Sequence, residues 1–117
     1  MAKLRVAYKI WLEHEGISFF GKGGAQLLKL IDERGYLKKA AEEMEISYKF
    51  AWSYVKRLEE VLSLKIVESR RGGIGGGGSK LTREGKLLVE YYEGLASEVD
   101  GVAKKYERLF QDLLEKR

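Results

Sequence analysis

Leu37–Leu62 reads LKKAAEEMEISYKFAWSYVKRLEEVL, and its spacing predicts two helices joined by a tight turn. Leu37, Ala40, Ala41 and Met44 fall on one side of a short first helix. Glu45-Ile46 makes the connection, with Ile46 expected to plug the core between the pair. Ser47 is a favourable N-cap, because its hydroxyl can accept from an unpaired amide of the first turn. From there Ala51, Val55, Leu58 and Leu62 recur at helical spacing and face inward. Tyr48, Lys49, Ser53, Lys56 and Arg57 then lie on or beside the outer face. Two helices joined by a turn of about three or four residues form the helix-turn-helix pattern, and small Ala40 and Ala41 let the pair cross closely.

Working outward toward the C-terminus, Lys65–Ser69 (KIVES) predicts a short strand, with Ser79–Leu81 as its return partner. Between them lies Arg70–Lys80, RRGGIGGGGSK, in which six of eleven residues are glycine. Such a run can cradle a phosphate, link two domains or form a tip that touches a partner. The cradle fails on residue order, since Ser79 precedes Lys80, the reverse of a P-loop. The linker fails because capped or alternating elements press close on both sides. A hairpin tip remains, in which glycine permits positive φ and close backbone approach, and which is expected to be mobile until a partner binds. Thr82 caps a last helix that runs to about Leu114, on the order of 50 Å. Its apolar residues form two heptad series, Leu88, Leu95, Val102, Leu109 and Tyr92, Val99, Tyr106, Leu113. A strict seven-residue repeat predicts a coiled-coil seam, for which a second copy of the chain is the expected partner. Gly94 and Gly101 fall off the seam, and the pattern does not explain them.

Toward the N-terminus, alternation of Leu4, Val6, Tyr8, Ile10 and Leu12 with Arg5, Ala7, Lys9 and Trp11 predicts a strand over residues 3–12. Gly16–Gly24 (GISFFGKGG) reads as a glycine-punctuated loop. It nearly matches a P-loop, but Gly23 stands where the magnesium-holding hydroxyl belongs. Ala25–Arg34 then predicts an amphipathic helix stopped by Gly35.

The charge is unevenly spread. Residues 47–86 carry 9 basic and 4 acidic side chains, against 8 and 7 before them and 5 and 7 after them. A positive block on defined structure points to a polyanion, most often nucleic acid. The chain has no cysteine and one histidine, His14, so disulfides, thiolate metal sites and histidine-rich sites are excluded. The adjacent carboxylates Glu42-Glu43 and Glu59-Glu60 point about 100° apart on a helix and make no catalytic dyad. No enzyme, cofactor or metal is expected. No apolar run approaches the roughly 20 residues of a membrane span and no signal peptide is visible, so the expected location is the cytoplasm, away from membranes. A chain rich in Lys and Glu without asparagine or proline is the composition expected of a thermophile.

These elements in order predict a mainly α fold with a small β component: a winged helix-turn-helix over residues 1–81 and a C-terminal dimerisation helix over 82–117. Lys49, Lys56 and Arg57 are expected to approach the major groove of double-stranded DNA, and Arg70, Arg71 and Lys80 to carry charge on the wing. Ser47 and Thr82, at helix N-termini, are expected to help present amides to phosphates. The seam Leu88, Tyr92, Leu95, Val99, Val102, Tyr106, Leu109 and Leu113 is the expected homodimer interface.

Tyr36–Ala41 (YLKKAA), Ile46–Trp52 (ISYKFAW), Val67–Arg70 (VESR), Gly72–Gly78 (GGIGGGG) and Leu81–Gly85 (LTREG) resemble, in order and spacing, the N-terminal DNA-binding domain of the molybdate-responsive ModE regulators. That domain is similar to the winged helix of LysR-type regulators. The resemblance covers about residues 20–115. It implies a dimeric, sequence-specific DNA binder and transcription regulator, joined through the long helix and the N-terminal segment. By it, Ser47, Tyr48, Lys49 and Ser53 match reading-helix positions. Arg70 through Gly78, with Gly73, Gly75 and Gly76 among them, match the wing, and Trp52 is expected to pack the reader against the wing. The family's members carry C-terminal molybdate-binding domains and this sequence stops at Arg117, the pattern expected of either a single-domain relative or a fragment, so molybdate sensing is not carried over and the effector stays unknown. Leu113–Arg117 (LLEKR) reads as a natural helix end, the ending expected of a complete chain. Two other readings share these features. A non-specific architectural DNA-binding protein predicts no preferred site, and a coiled-coil interaction module predicts dimers indifferent to DNA.

Overall fold

In a computed structural model of the chain, residues 3–70 and 77–116 are described, with the side chain of Arg70 left aside. The chain opens with an extended segment, residues 3–10, followed by strands β1 (Trp11–His14) and β2 (Ile17–Gly21). Helices α1 (Lys22–Arg34), α2 (Leu37–Glu43) and α3 (Tyr48–Leu62) follow, then strands β3 (Val67–Arg70) and β4 (Gly78–Leu81), and finally α4 (Arg83–Glu115).

The strand expected over 3–12 is corrected to Trp11–His14, and the loop expected over 16–24 is its partner strand plus the first turn of α1. Glu15 and Gly16 form the two-residue connection, with φ of 51° and 79°, the paired positive φ of a tight hairpin turn. The register shifts between Leu12 and Glu13, which pair with Phe20 and Ser18 and leave Phe19 as the extra residue of a bulge. The bulge leaves the Phe19 carbonyl to accept from the Tyr54 hydroxyl at 3.1 Å. Gly24 has a steric reason to be glycine: a Cβ there would collide with the Tyr54 hydroxyl and crowd the Phe20 ring.

One core joins all the elements. Leu28, Ile31, Leu58 and Ile66 are fully buried, and Phe20, Ala25, Leu27, Leu37, Ala40, Ala41, Ala51, Val55, Leu81, Val89 and Tyr92 complete it. Each large aliphatic chain contributes about 1.5–3 kcal/mol by leaving water. Ala40 and Ala41 do let α2 cross close to its neighbours, and Ile46 packs half-buried against the core. Glu45 takes φ 59° in the turn and the Ile46 amide bonds the Ala41 carbonyl at 3.0 Å.

The alternation of residues 3–10 has another cause than strand pairing. The segment runs along α4: the Leu4 amide donates to Gln111, the Tyr8 hydroxyl to Asp100 at 2.8 Å, and the Tyr92 hydroxyl to the Ile10 carbonyl at 2.9 Å. Leu4, Val6 and Ile10 are half-buried there and Arg5, Ala7 and Lys9 exposed. The molecule extends 68 Å along its long axis, because α4 reaches well past the body of the domain.

Candidate nucleic-acid interface

The site is built on α3 and its junction with the β3–β4 hairpin. Ser47 Oγ accepts from the Phe50 amide at 3.0 Å and caps α3. Ala51, Val55 and Leu58 hold the helix to the core. That leaves Tyr48, Lys49, Ser53 and Arg57 exposed and Lys56 half-exposed. Lys49, Ser53 and Lys56 share one outward sector by their spacing of four and three. Arg57 follows Ser53 by four and so stands at the flank of that sector, where it also lines a cleft of about 310 Å³ with Trp11, Phe19, Gly24 and Tyr54, on the side of the β1–β2 hairpin. Burial pushes the Tyr54 phenol up to about 12, with Arg57 opposing weakly, so it stays a neutral hydrogen-bond donor across the physiological range.

The junction is held by one carboxylate. Glu59 Oε2 accepts from the Ile66 and Val67 amides at 2.8 and 3.1 Å, while Oε1 lies 3.6 Å from Lys56 and 3.9 Å from Lys65. Burial pushes the Glu59 carboxyl up, but the two amides and the two ammonium groups outweigh it and hold it below the ordinary glutamate value. A residue on the inner flank of α3 thereby fixes the root of the hairpin. Spacing alone does not single it out, because in sequence it is one half of an adjacent carboxylate pair, Glu59-Glu60.

Strands β3 and β4 pair antiparallel, Val67 with Leu81, Glu68 with Lys80, Ser69 with Ser79 and Arg70 with Gly78. The hairpin is tied to α1: the Ser79 amide donates to the Gly35 carbonyl at 2.7 Å and the Leu81 amide to Asp32 at 3.1 Å. Lys80 stands 3.4 Å from Glu68 across the ladder. Arg71, Gly73, Gly75 and Gly76, and the expected mobility of the tip, lie outside the described residues. Thr82 caps α4 by accepting from the Gly85 amide at 3.0 Å and donates its hydroxyl proton to the Lys65 carbonyl at 2.6 Å. Its hydroxyl is spent within the chain, so only the flanking amides of α4 remain for the phosphate role expected of it. Gly85 must be glycine for the same packing, since a Cβ there would collide with the Ile66 carbonyl oxygen.

Two expectations need correction. Trp52, expected to pack α3 against the wing in a buried role, is instead 48% exposed, with Lys56 Nζ 5.5 Å from its ring centroid. Tyr92 is not free for a second copy: it is buried in its own chain, edge-on to Phe20 with ring centroids 5.5 Å apart. The rest of the seam divides. Leu88 packs partly on the core and Val99 is half-buried. Leu95, Val102, Tyr106, Leu109 and Leu113 form an exposed apolar stripe, joined by Tyr91 and Phe110 from outside the two heptad series. An added Cβ at Gly94 or Gly101 meets nothing among the described residues, so packing between them does not explain these two.

Among the described residues there is no cluster of metal-ligating side chains, and no helix is long and apolar enough to cross a membrane.

The chain is 40% identical over 70 residues to the DNA-binding transcriptional dual regulator ModE of Escherichia coli (strain K12), a match spanning 60% of this chain and 27% of ModE. It is 32% identical over 104 residues to the molybdenum-pterin-binding protein MopB of Rhodobacter capsulatus, spanning 89% of this chain and 38% of MopB. The chain therefore spans well under half the length of these relatives. No protein-family model matches it. Among solved structures, the BenM_DBD/benA site 1 DNA complex is similar with a TM-score of 0.53 and 26% identity, over 73% of this chain and 90% of that one. The CbnR_DBD–DNA complex has a TM-score of 0.54 over 74% and 93% of the two chains, at 21% identity, a likeness of fold alone. The helix-turn-helix, hairpin and long helix described above are thus a ModE-like winged helix-turn-helix domain.

Proposed function

We infer that this ModE-like winged helix-turn-helix serves a sequence-specific, double-stranded DNA-binding regulator of transcription that acts in the cytoplasm as a homodimer. The observation that carries the reading is the outward sector of α3, where Lys49, Ser53 and Lys56 stand clear of the core on the second helix of the pair. A reading helix needs that arrangement: an apolar face that fixes it, and an opposite face of hydrogen-bonding and cationic side chains for base edges and phosphates. The +5 block of residues 47–86 and the position of the β3–β4 hairpin beside α3 support backbone contacts on both sides of the groove. The exposed stripe on α4 supports pairing of two copies, so that two readers meet two half-sites. Relatives named as transcriptional regulators, and structural neighbours solved on DNA, support the same conclusion. The reading needs no bound cofactor and no catalytic step, and it assigns no effector. The Lys- and Glu-rich composition supports a heat-adapted source.

Salt dependence is the test. Each phosphate neutralised by Lys or Arg contributes a slope of about −0.9 to log affinity against log salt. A dimer in which each protomer neutralises about three phosphates therefore gives a slope near −5. An affinity for duplex DNA that is unchanged between low and moderate salt would rule the reading out.

A further inference from the structure

The exposed side of α3 carries two large apolar side chains to which the regulator reading gives no task, Phe50 and Trp52, and only Trp52 is braced by a neighbouring cation. Trp52 is 48% exposed, on a helix whose other tasks are met by Ala51, Val55 and Leu58 inside and by Lys49, Ser53 and Lys56 outside. One side of the indole is braced: Lys56 Nζ lies 5.5 Å from the ring centroid, Lys56 is held 3.6 Å from Glu59, and Glu59 is fixed by the wing-root amides. Trp52 follows Lys49 by three residues and precedes Lys56 by four, which places it on the Lys56 flank of the sector that faces a groove. Phe50 is also exposed, at 60%, but it lies about 200° round the helix from Trp52, on the opposite flank of the sector and away from the Lys56 ammonium that braces the indole.

We propose that Trp52 determines specificity by packing its indole edge on the C5 methyl of a thymine in the major groove. The proposal rests on the reading of α3 as the helix that enters the groove. Thymine alone presents a methyl there. Lys49 and Ser53 recognise acceptors and phosphates and have no means of distinguishing a methyl. A braced, half-exposed indole supplies the apolar surface they lack, and its position is set before DNA arrives, which lowers the entropic cost of binding.

The test uses the full chain. Its preferred duplex is first obtained by selection from random sequence. Each thymine of that duplex is then replaced singly by uracil, which removes the methyl and keeps the O4 acceptor. Wild type should lose about fourfold in affinity, the worth of one buried methyl, at one thymine in each half-site. Trp52→Ala should bind the thymine and uracil forms of that position equally, and Trp52→Phe should keep part of the difference. Affinity for unrelated duplex should be the same in all three. Circular dichroism should show the variants folded, since the side chain is half in water. If the selected site has no thymine, or if every uracil change is felt equally by wild type and Trp52→Ala, the assignment is overturned while the regulator reading stands. If no site is selected at all, both fall together.

Discussion

Lys49 and Glu59 lie ten residues apart on one helix and do opposite work. Lys49 is exposed on the outer sector, so its replacement should change binding and leave folding alone. Lys49→Ala should weaken duplex binding and make the salt slope shallower by about 1 for each phosphate that Lys49 neutralises in the wild type. A titration at several salt concentrations checks this, with Glu115→Ala as the control that should match wild type. Glu59 is turned inward and satisfies the Ile66 and Val67 amides. Glu59→Ala should cost about 1–3 kcal/mol, because it strands two partly buried donors; urea unfolding measures it. The carboxyl is held below its ordinary value in the folded chain, so it takes up a proton less readily folded than unfolded. Its contribution is therefore full above the ordinary carboxylate range and is lost as pH falls through that range and below. Wild type should lose more stability than Glu59→Gln between pH 6 and about pH 3.5.

The helices are legible in the sequence, and the reasons are local. Ser47 and Thr82 both cap as their position before an apolar-periodic run implies, each accepting from the amide three residues on. The β1–β2 hairpin is not legible, because its turn is Glu15-Gly16 rather than the usual Asn-Gly or Asp-Gly, and the glycines after it imitate a phosphate loop. Residues 3–10 alternate because one side lies on α4, a period-two pattern that does not distinguish a strand from an extended arm. Heptad counting finds an apolar seam on α4 but not which stretch of it the domain itself covers, so it points Tyr92 outward although the ring lies inward. Glycines mark the closest approaches between elements. Gly85 lets the first turn of α4 abut the wing root at Ile66. Gly85→Ala should destabilise the chain by about 1–3 kcal/mol, the usual penalty of overpacking. Gly94→Ala, where an added Cβ meets nothing among the described residues, should instead stabilise α4 by up to about 1 kcal/mol in the isolated protomer. Paired urea melts below the dimerisation concentration would separate the two outcomes.

Across the whole molecule, α1, the wing and α4 meet at a shared set of bonds. The Leu81 amide reaches Asp32, the Thr82 amide and hydroxyl reach the Ile66 and Lys65 carbonyls, and Lys29 lies 2.9 Å from Glu93. The first of these fixes β4 against α1 and the others seat α4, while Glu59 ties the same wing root to α3 through the Ile66 and Val67 amides. The long helix then carries its exposed stripe, Leu95, Val102, Tyr106 and Leu109, well away from the body. If two copies pair through this stripe as proposed, Val102→Asp should shift the chain toward monomer, as read by sedimentation, with its helical signal retained. Because a monomer engages one half-site, the variant should also bind a two-half-site duplex at least tenfold more weakly than wild type, since no second, tethered reader is at hand. The most direct measurement of the central claim is selection of the intact chain on random duplexes. The account predicts enrichment of an inverted repeat whose half-site centres lie about 34 Å, one helical turn, or a multiple of it apart. Recovery of DNA with no enriched sequence, or of a single unrepeated site bound by one copy, would contradict it.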